Sequence, residues 1–123
     1  EIMQGVSVVI NDDVEAALHP IKQNLALYVG GMGAKSRNFH NELIKRMGFE
    51  EAAEKIQDLF LEGRKDEATL AVPTELADEV SLVGSVDRIR DRLQAWKETP
   101  VTSLLVSTRN IDQLRTFAEL VLG

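Results

Sequence analysis

Two short apolar segments, about ninety residues apart, constrain the fold of this chain more than any other feature. Residues 5–10 (Gly-Val-Ser-Val-Val-Ile) are mostly β-branched, and residues 101–108 contain the continuous apolar run Leu104-Leu105-Val106. Both patterns are typical of buried strands. Such distant strands can share a parallel sheet only through a large crossover, and a two-stranded parallel sheet is not stable alone. The pattern predicts an α/β fold that is the end of a larger protein.

Helical periodicity fills the chain between and after these strands. Apolar residues recur at spacings of three and four over residues 13–28, 38–47, 50–62, 66–71, 73–80, 86–96 and 111–121. Ser85 and Asn110 are predicted N-caps, and Gly48 and Gly63 are predicted C-terminal stops. Pro20 predicts a kink or a fresh helix start, because proline lacks a backbone donor. No repeat, linker or internal domain boundary is visible, so residues 1–123 read as one segment.

The same periodicity predicts which side chains face the core. The predicted inward positions are Ala17, Ile21, Leu25 and Tyr28; Phe39, Leu43, Ile44 and Met47; Ala52, Ile56, Leu59 and Phe60; Val86, Ile89, Leu93 and Trp96; and Ile111, Leu114, Phe117, Ala118 and Val121. The charged run over residues 87–92 is predicted to be a solvated helix face.

Charge and composition exclude several classes of protein. The formal net charge of −6 lies entirely in residues 50–98, which carry thirteen acids and seven bases. A nucleic-acid binder needs a basic face, and so does a protein that binds an anionic membrane, so neither partner is expected. No apolar run approaches the roughly 20 residues of a membrane span, and no signal peptide is visible. The chain has no cysteine, which excludes disulfides and thiol catalysis and suits a cytoplasmic location.

The most distinctive local motif is a glycine-rich loop at residues 28–38, Tyr-Val-Gly-Gly-Met-Gly-Ala-Lys-Ser-Arg-Asn. Three glycines in four residues expose backbone N–H groups, and a helix N-terminus with Lys35 and Arg37 follows. Such groups can cradle a phosphate, although the same letters also suit a helix stop, a turn and a helix start. A P-loop is excluded, because Val29 and Ala34 occupy its two required glycine positions.

Other catalytic and metal motifs are absent. His19 and His40 have no partner at metal-ligand spacing, so no metal site is predicted. No serine lies in a Gly-x-Ser-x-Gly elbow, so a hydrolase triad has no support. The sequence therefore indicates no catalytic residue within this chain.

The run from Leu25 to His40 resembles the C-terminal part of the luciferase-like flavin and deazaflavin oxidoreductases. Further matches follow in the expected order and cover essentially the whole chain. They are Met47-Gly48-Phe49, Gly63 with Glu67-Ala68, Val72-Pro73-Thr74-Glu75-Leu76, Leu82-Val83-Gly84-Ser85, Arg88-x-x-x-Arg92-Leu93, and the strand and helix of residues 101–122.

The resemblance implies the C-terminal part of a (β/α)8 TIM barrel, incomplete and helix-rich in this chain, because such barrels typically need about 250 residues. It implies a parent that uses coenzyme F420 (a deazaflavin), or alternatively FMN, for hydride transfer or monooxygenation of a small-molecule substrate. Since both cofactors carry phosphate, the expected cofactor-binding residues are Gly30, Gly31, Met32, Gly33, Lys35, Arg37 and Asn38.

Two functional hypotheses remain open at this point. The chain is either the C-terminal fragment of such an oxidoreductase or a free-standing, non-catalytic α-rich binding or assembly domain derived from that family. In the first case we expect the fragment to be inactive alone, and it need not bind a cofactor itself. Several hundred codons upstream of Glu1 would support the first, and an initiator methionine there the second. A fragment would expose the apolar faces that met the missing strands, so we expect a homo-oligomer.

Overall fold

The computed structural model describes residues 1–34, 37–108 and 110–122, and its fold there is mixed α/β and rich in helix. In chain order the elements are β1 (Met3–Ile10), α1 (Val14–Ala26), a π-helix (Leu27–Gly31), α2 (Phe39–Arg46), α3 (Glu50–Leu61), α4 (Lys65–Leu70), α5 (Thr74–Glu79), β2 (Ser81–Gly84), α6 (Val86–Lys97), β3 (Ser103–Ser107) and α7 (Ile111–Leu122). They divide into two compact units. The sheet unit comprises Glu1–Leu18 and the segment from Asp78 onward, and the helical unit comprises His19–Ala77.

The strands of the sheet unit form a parallel sheet in the order β2-β1-β3. Val6 of β1 pairs with Val106 of β3, and Val8 of β1 pairs with Leu82 of β2. The prediction that residues 5–10 and residues 101–108 are neighbouring parallel strands is therefore confirmed. The eight-residue β1 is long enough to pair with β3 along its first half and with β2 along its second.

The third strand, β2, is not predicted by the sequence. The sequence predicts only a helix N-cap at Ser85, and that cap exists, because the Ser85 hydroxyl accepts a hydrogen bond from the Arg88 N–H at 3.2 Å. All four residues of β2 are buried. A strand that is buried at every position shows no alternation of apolar and polar residues, so the pairing with β1 alone defines it.

The core of the sheet unit lies where β1 and β2 meet α6 and α7. Its buried members are Val6, Val8, Leu82, Ile89, Leu93 and Phe117. Two predictions about this unit are wrong. Strand β3 is not a buried strand, since it lies at an edge of the described sheet and Leu105 is 61% exposed. Helix α7 buries only Phe117 fully, and Ile111, Leu114 and Val121 are exposed.

The charged run on α6 also departs from the prediction of a solvated face. Arg88 donates two hydrogen bonds to the Asp78 carboxylate, at 3.0 and 2.7 Å, and Arg92 lies 3.2 Å from the same carboxylate. Both arginines are half-buried, with about a third of each side chain exposed. The hydrogen bond to Asp78 raises the pKa of the Arg88 guanidinium, which therefore stays charged. Bidentate pairing of this kind fixes geometry, so the cluster ties the segment before β2 to α6.

The helical unit is organised around α3, whose Ala53 and Ile56 are fully buried. Helix α2 turns Asn41 and Ile44 inward. The predicted inward face of α2 is confirmed at Ile44 and wrong at Phe39, Leu43 and Met47, which are all exposed. The helical spacing in the sequence identified a genuine apolar stripe, but α3 and the π-helix pack against the other side of α2.

Helix α1 runs through Pro20 as a single helix, so no fresh start occurs there. The π-helix then changes the spacing of side chains, because it places more residues in a turn than an α-helix does. As a result Val29 is buried, and Tyr28, which the α-helical periodicity placed inside, is 36% exposed. In the residues that the structure describes, no helix is long and apolar enough to cross a membrane.

Candidate functional site

The predicted cofactor loop lies in the helical unit, between the π-helix and α2. Gly30 and Gly31 are the last residues of the π-helix, and Asn38 is the N-cap of α2. Met32, Gly33 and Arg37 lie between them, and the Arg37 N–H donates to the Ala34 carbonyl at 2.9 Å. Lys35, the seventh predicted residue, lies outside the described residues.

Gly30 and Gly31 allow the π-helix to approach α3 closely. A Cβ atom added to Gly30 would lie 2.6 Å from the Phe60 Cβ and 3.2 Å from the Ile56 carbonyl oxygen. A Cβ added to Gly31 would collide with the Phe60 ring. Real side chains do not tolerate such contacts, so these glycines let the π-helix rest directly on α3.

Asn38 is committed to holding this loop together. Its side-chain amide donates to the carbonyls of Tyr28 and Val29 at 3.1 and 2.9 Å, and its oxygen accepts from the Asn41 N–H at 3.0 Å. The side chain is almost completely buried. Asn38 therefore closes the end of the π-helix and caps the start of α2 with one amide group.

Asn41 completes the arrangement, and the sequence reasoning missed it. Its side-chain amide donates to the Val29 carbonyl at 3.1 Å and to the Ala53 carbonyl at 2.9 Å. Asn41 is buried, although it lies on a helix with several exposed apolar residues. The signal that could have found it is the spacing Asn-x-x-Asn, an N-cap followed three residues later by a second amide on the inner face of the same turn.

Three other predicted members, all within the described residues, face outward. Met32 is 52% exposed, and Gly33 and Arg37 are exposed as well. Arg37 precedes the N-terminus of α2, where the helix dipole favours negative charge. This part of the loop could contact an anionic group, whereas Gly30, Gly31 and Asn38 are occupied by the protein's own packing and hydrogen bonds. Among the described residues, no cluster of histidine and acidic side chains could hold a metal ion.

Comparison with known proteins decides the family. The model for the luciferase-like monooxygenase family matches residues 1–103. The chain belongs to this family. The resemblance seen in the glycine-rich loop and in the Val-Gly-Ser turn is thereby confirmed.

This luciferase-like chain is similar in sequence to a protein of Mycobacterium tuberculosis named "Putative coenzyme F420-dependent oxidoreductase". The two are 42% identical over 121 residues, which cover 98% of this chain and 35% of the relative. The luciferase-like chain therefore spans about a third of the length of the curated relative that it matches. No solved structure matches it significantly.

Proposed function

We propose that this luciferase-like chain is the C-terminal part of a (β/α)8 oxidoreductase that uses coenzyme F420 for hydride transfer or monooxygenation of a small molecule, with FMN as the alternative cofactor. The observation that carries the proposal is the 42% identity, sustained over 98% of the chain, with a relative named for F420-dependent oxidation or reduction. Such identity over a whole segment supports a common fold and a common cofactor.

The sheet is compatible with an incomplete barrel. It has three parallel strands in the described residues, and a closed barrel of this type needs eight. A barrel with consecutive strands would place β2 between β1 and β3. The observed order, β2-β1-β3, differs from that of consecutive barrel strands, so the support for the barrel is limited to the parallel direction of the strands.

The exposed part of the glycine-rich loop suits the phosphate of either cofactor. In this proposal Arg37, together with Lys35 from the sequence, holds the phosphate, and the exposed backbone at Met32 and Gly33 lies beside it. Gly30, Gly31 and Asn38 fix the shape of the loop from inside. The bound cofactor supplies the hydride or oxygen chemistry, and this chain supplies an anion-binding edge.

A second candidate function rests on a different observation. Three large apolar side chains are exposed on α2 and its C-cap, namely Phe39, Leu43 and Met47, which suits a non-catalytic assembly domain. A cofactor-binding measurement distinguishes the two functions, because only the oxidoreductase proposal requires this chain to support cofactor binding.

A chimera tests the proposal. The matched third of the Mycobacterium tuberculosis relative is replaced by this chain, and binding of F420 and FMN is titrated by fluorescence. We expect the chimera to bind the same cofactor as the relative within about tenfold, because 42% identity preserves the fold of the segment. The purified 123-residue chain, assayed in parallel, should show no cofactor-dependent turnover. A folded chimera that has lost the cofactor bound by the relative would contradict the proposal.

The loop assignment is tested in the same chimera. Lys35→Ala combined with Arg37→Ala should weaken cofactor binding by about tenfold to a hundredfold, because one charge-assisted hydrogen bond is worth roughly 1.5–3 kcal/mol. The matched control removes the same two types of charge from α6, with Arg90→Ala and Lys97→Ala, and should leave binding unchanged. Equal dissociation constants for the loop variant and the control would show that the loop is only a turn.

A further inference from the structure

The carboxyl end of β1 is hydrogen-bonded to a side chain rather than to a strand on one side. Strand β1 pairs with β3 only from Met3 to Ser7, so Ile10 lies beyond that ladder. The side-chain amide of Gln113, on α7, takes the place of a strand residue there. Its Oε1 atom accepts from the Ile10 N–H at 3.0 Å, and its Nε2 atom donates to the Ile10 carbonyl at 3.2 Å. A primary amide carries the donor and the acceptor of a peptide group, so Gln113 extends the sheet at this point.

The capping of α7 leaves the Gln113 side chain free for this contact. Gln113 is the third residue after the N-cap Asn110, the position from which a glutamine commonly reaches back to the N-cap N–H. Here the Thr108 hydroxyl accepts from the Asn110 N–H at 3.4 Å, and the Asn110 side chain accepts from the Gln113 N–H at 3.2 Å. The helix is therefore capped without the Gln113 side chain, which reaches β1 instead.

The chain after Ile10 is fixed from the β2 side as well. The Asn11 N–H donates to the Gly84 carbonyl at 2.9 Å, and the Asn11 side chain accepts from the Asp13 N–H at 2.9 Å. Gln113 fixes the same strand end from the β3 side. The carboxyl end of β1 and the turn that Asn11 and Asp13 close are therefore held between β2 and α7. Loss of the contact on either side would let the turn shift.

We propose that Gln113 is a positioning residue for ligand binding at the carboxyl edge of the sheet, where it acts through the turn of residues 11–13. This role rests on the proposed oxidoreductase function. Active sites of (β/α)8 barrels lie at the carboxyl ends of the strands, and a displacement of about 1 Å in such a site can cost much of its effect. Asp12 is exposed in the middle of the turn, and its carboxylate can accept hydrogen bonds from the hydroxyl or N–H groups of a ligand.

A purely structural role is the alternative, because the same contact also ties α7 to the sheet. Helix α7 buries only Phe117 fully, so the Gln113 contact contributes to its attachment. The two roles lead to different results in a folded protein. A structural contact changes the free energy of unfolding alone, whereas a positioning contact also changes ligand affinity when every molecule is folded.

The first experiment uses the chimera described above and titrates binding of F420 and FMN by fluorescence. Gln113→Ala should weaken cofactor binding by about tenfold, because the turn after β1 loses its fixed position. The matched control is Phe117→Leu on the same helix, which lowers stability and keeps the contact with Ile10. The control should leave the dissociation constant unchanged, and urea denaturation identifies conditions in which all variants are folded. A folded Gln113→Ala chimera with the native dissociation constant would overturn the proposal.

Gln113→Glu provides a second readout, the dependence of binding on pH. As a carboxylate at about pH 7.5 it has no donor for the Ile10 carbonyl, so it should bind cofactor as weakly as Gln113→Ala. The protonated acid regains a donor and has nearly the shape of the amide. The ratio of its dissociation constant to that of the native chimera should therefore fall toward one as the pH is lowered to about 5. Gln113→Ala has no group to titrate, so the same pH dependence in both variants would contradict the proposal.

Hydrogen exchange tests the contact itself in the 123-residue chain. Exchange of the Ile10 amide should be at least about tenfold faster in Gln113→Ala, because its acceptor is removed, and unchanged in Phe117→Leu. Equal protection in the native chain and Gln113→Ala would show that Gln113 does not hold β1. A folded native chimera that binds neither cofactor would contradict the oxidoreductase proposal, and the role of Gln113 would fall with it. A native chimera that binds cofactor, beside Gln113 variants that bind equally well, would overturn the role of Gln113 alone.

Discussion

Replacing Asn38 by alanine should lower the free energy of unfolding by about 3 kcal/mol. The substitution removes the N-cap of α2, which typically costs about 1 kcal/mol. It also leaves the Tyr28 carbonyl without the donor that Asn38 provides, at about 1–3 kcal/mol for a buried group. The Val29 carbonyl suffers less, because it retains the hydrogen bond from the Asn41 side chain. Urea denaturation followed by circular dichroism measures the loss.

Asn110 provides a matched control, because it caps α7 in the same way but at the surface. Its side-chain oxygen accepts from the N–H groups of Asp112 and Gln113, and the residue is exposed. Asn110→Ala should cost only about 0.5–1 kcal/mol, the usual effect of losing an exposed cap. Asn38→Asp keeps the capping oxygen but loses the donors to the two carbonyls, and it should be at least as destabilising as Asn38→Ala. Equal costs at Asn38 and Asn110 would show that Asn38 acts as a cap alone.

Much of the fold could be predicted because it depends on local chemistry. The strands at residues 5–10 and 101–108, the caps at Ser85 and Asn110, and the stop at Gly48 need only a few neighbouring residues to recognise. Gly48 confirms the reasoning, since its φ of +98° is a conformation that glycine adopts readily at the end of a helix. These features appear in the structure within a few residues of their predicted positions.

The errors concern contacts between distant parts of the chain. Strand β2 is defined by its parallel pairing with β1, and nothing in its own four residues identifies it. Periodicity found the apolar stripe of α2 but could not tell whether that stripe or the opposite face meets α3. Arg88 and Arg92 likewise look solvated in sequence, because their common partner Asp78 lies before β2 rather than on α6.

At the candidate site, too, local features could be predicted and contacts between distant residues could not. The sequence predicts backbone freedom and exposed N–H groups at the three glycines of the loop, and this prediction rests on neighbouring residues alone. The structure gives Gly30 and Gly31 a packing role against Phe60, about thirty residues away in the chain. A sequence without its contacts cannot distinguish a glycine that admits a ligand from one that admits another helix. The exposed residues of the loop, and Arg37 among them, keep the proposed role in binding an anion.

The packing role of the glycines leads to a second large effect. Gly30→Ala should lower the free energy of unfolding by about 3 kcal/mol, because the new methyl group meets the Phe60 Cβ and the Ile56 carbonyl, both fixed by the backbone of α3. Gly31→Ala should cost less, since it meets only the far end of the Phe60 ring, which can rotate away. The control is Gly5→Ala on β1, where a Cβ has no neighbour within 4 Å, and its effect should be within about 0.5 kcal/mol of zero.

The Phe60→Ala background distinguishes the contacts of Gly30 from those of Gly31. Removing the ring vacates the space beside Gly31, so Gly31→Ala should become neutral or stabilising in that background, because alanine loses less chain entropy than glycine. The Phe60 Cβ remains in the alanine variant, so Gly30→Ala should stay destabilising there. A double-mutant cycle should therefore give a coupling of about 1 kcal/mol or more between positions 31 and 60, and a smaller one between positions 30 and 60. Equal couplings would show that Gly30 meets the Phe60 ring rather than the Cβ fixed by the backbone of α3. A Gly30→Ala variant as stable as Gly5→Ala would show that the π-helix does not rest on α3 and would return Gly30 to the residues available for a cofactor.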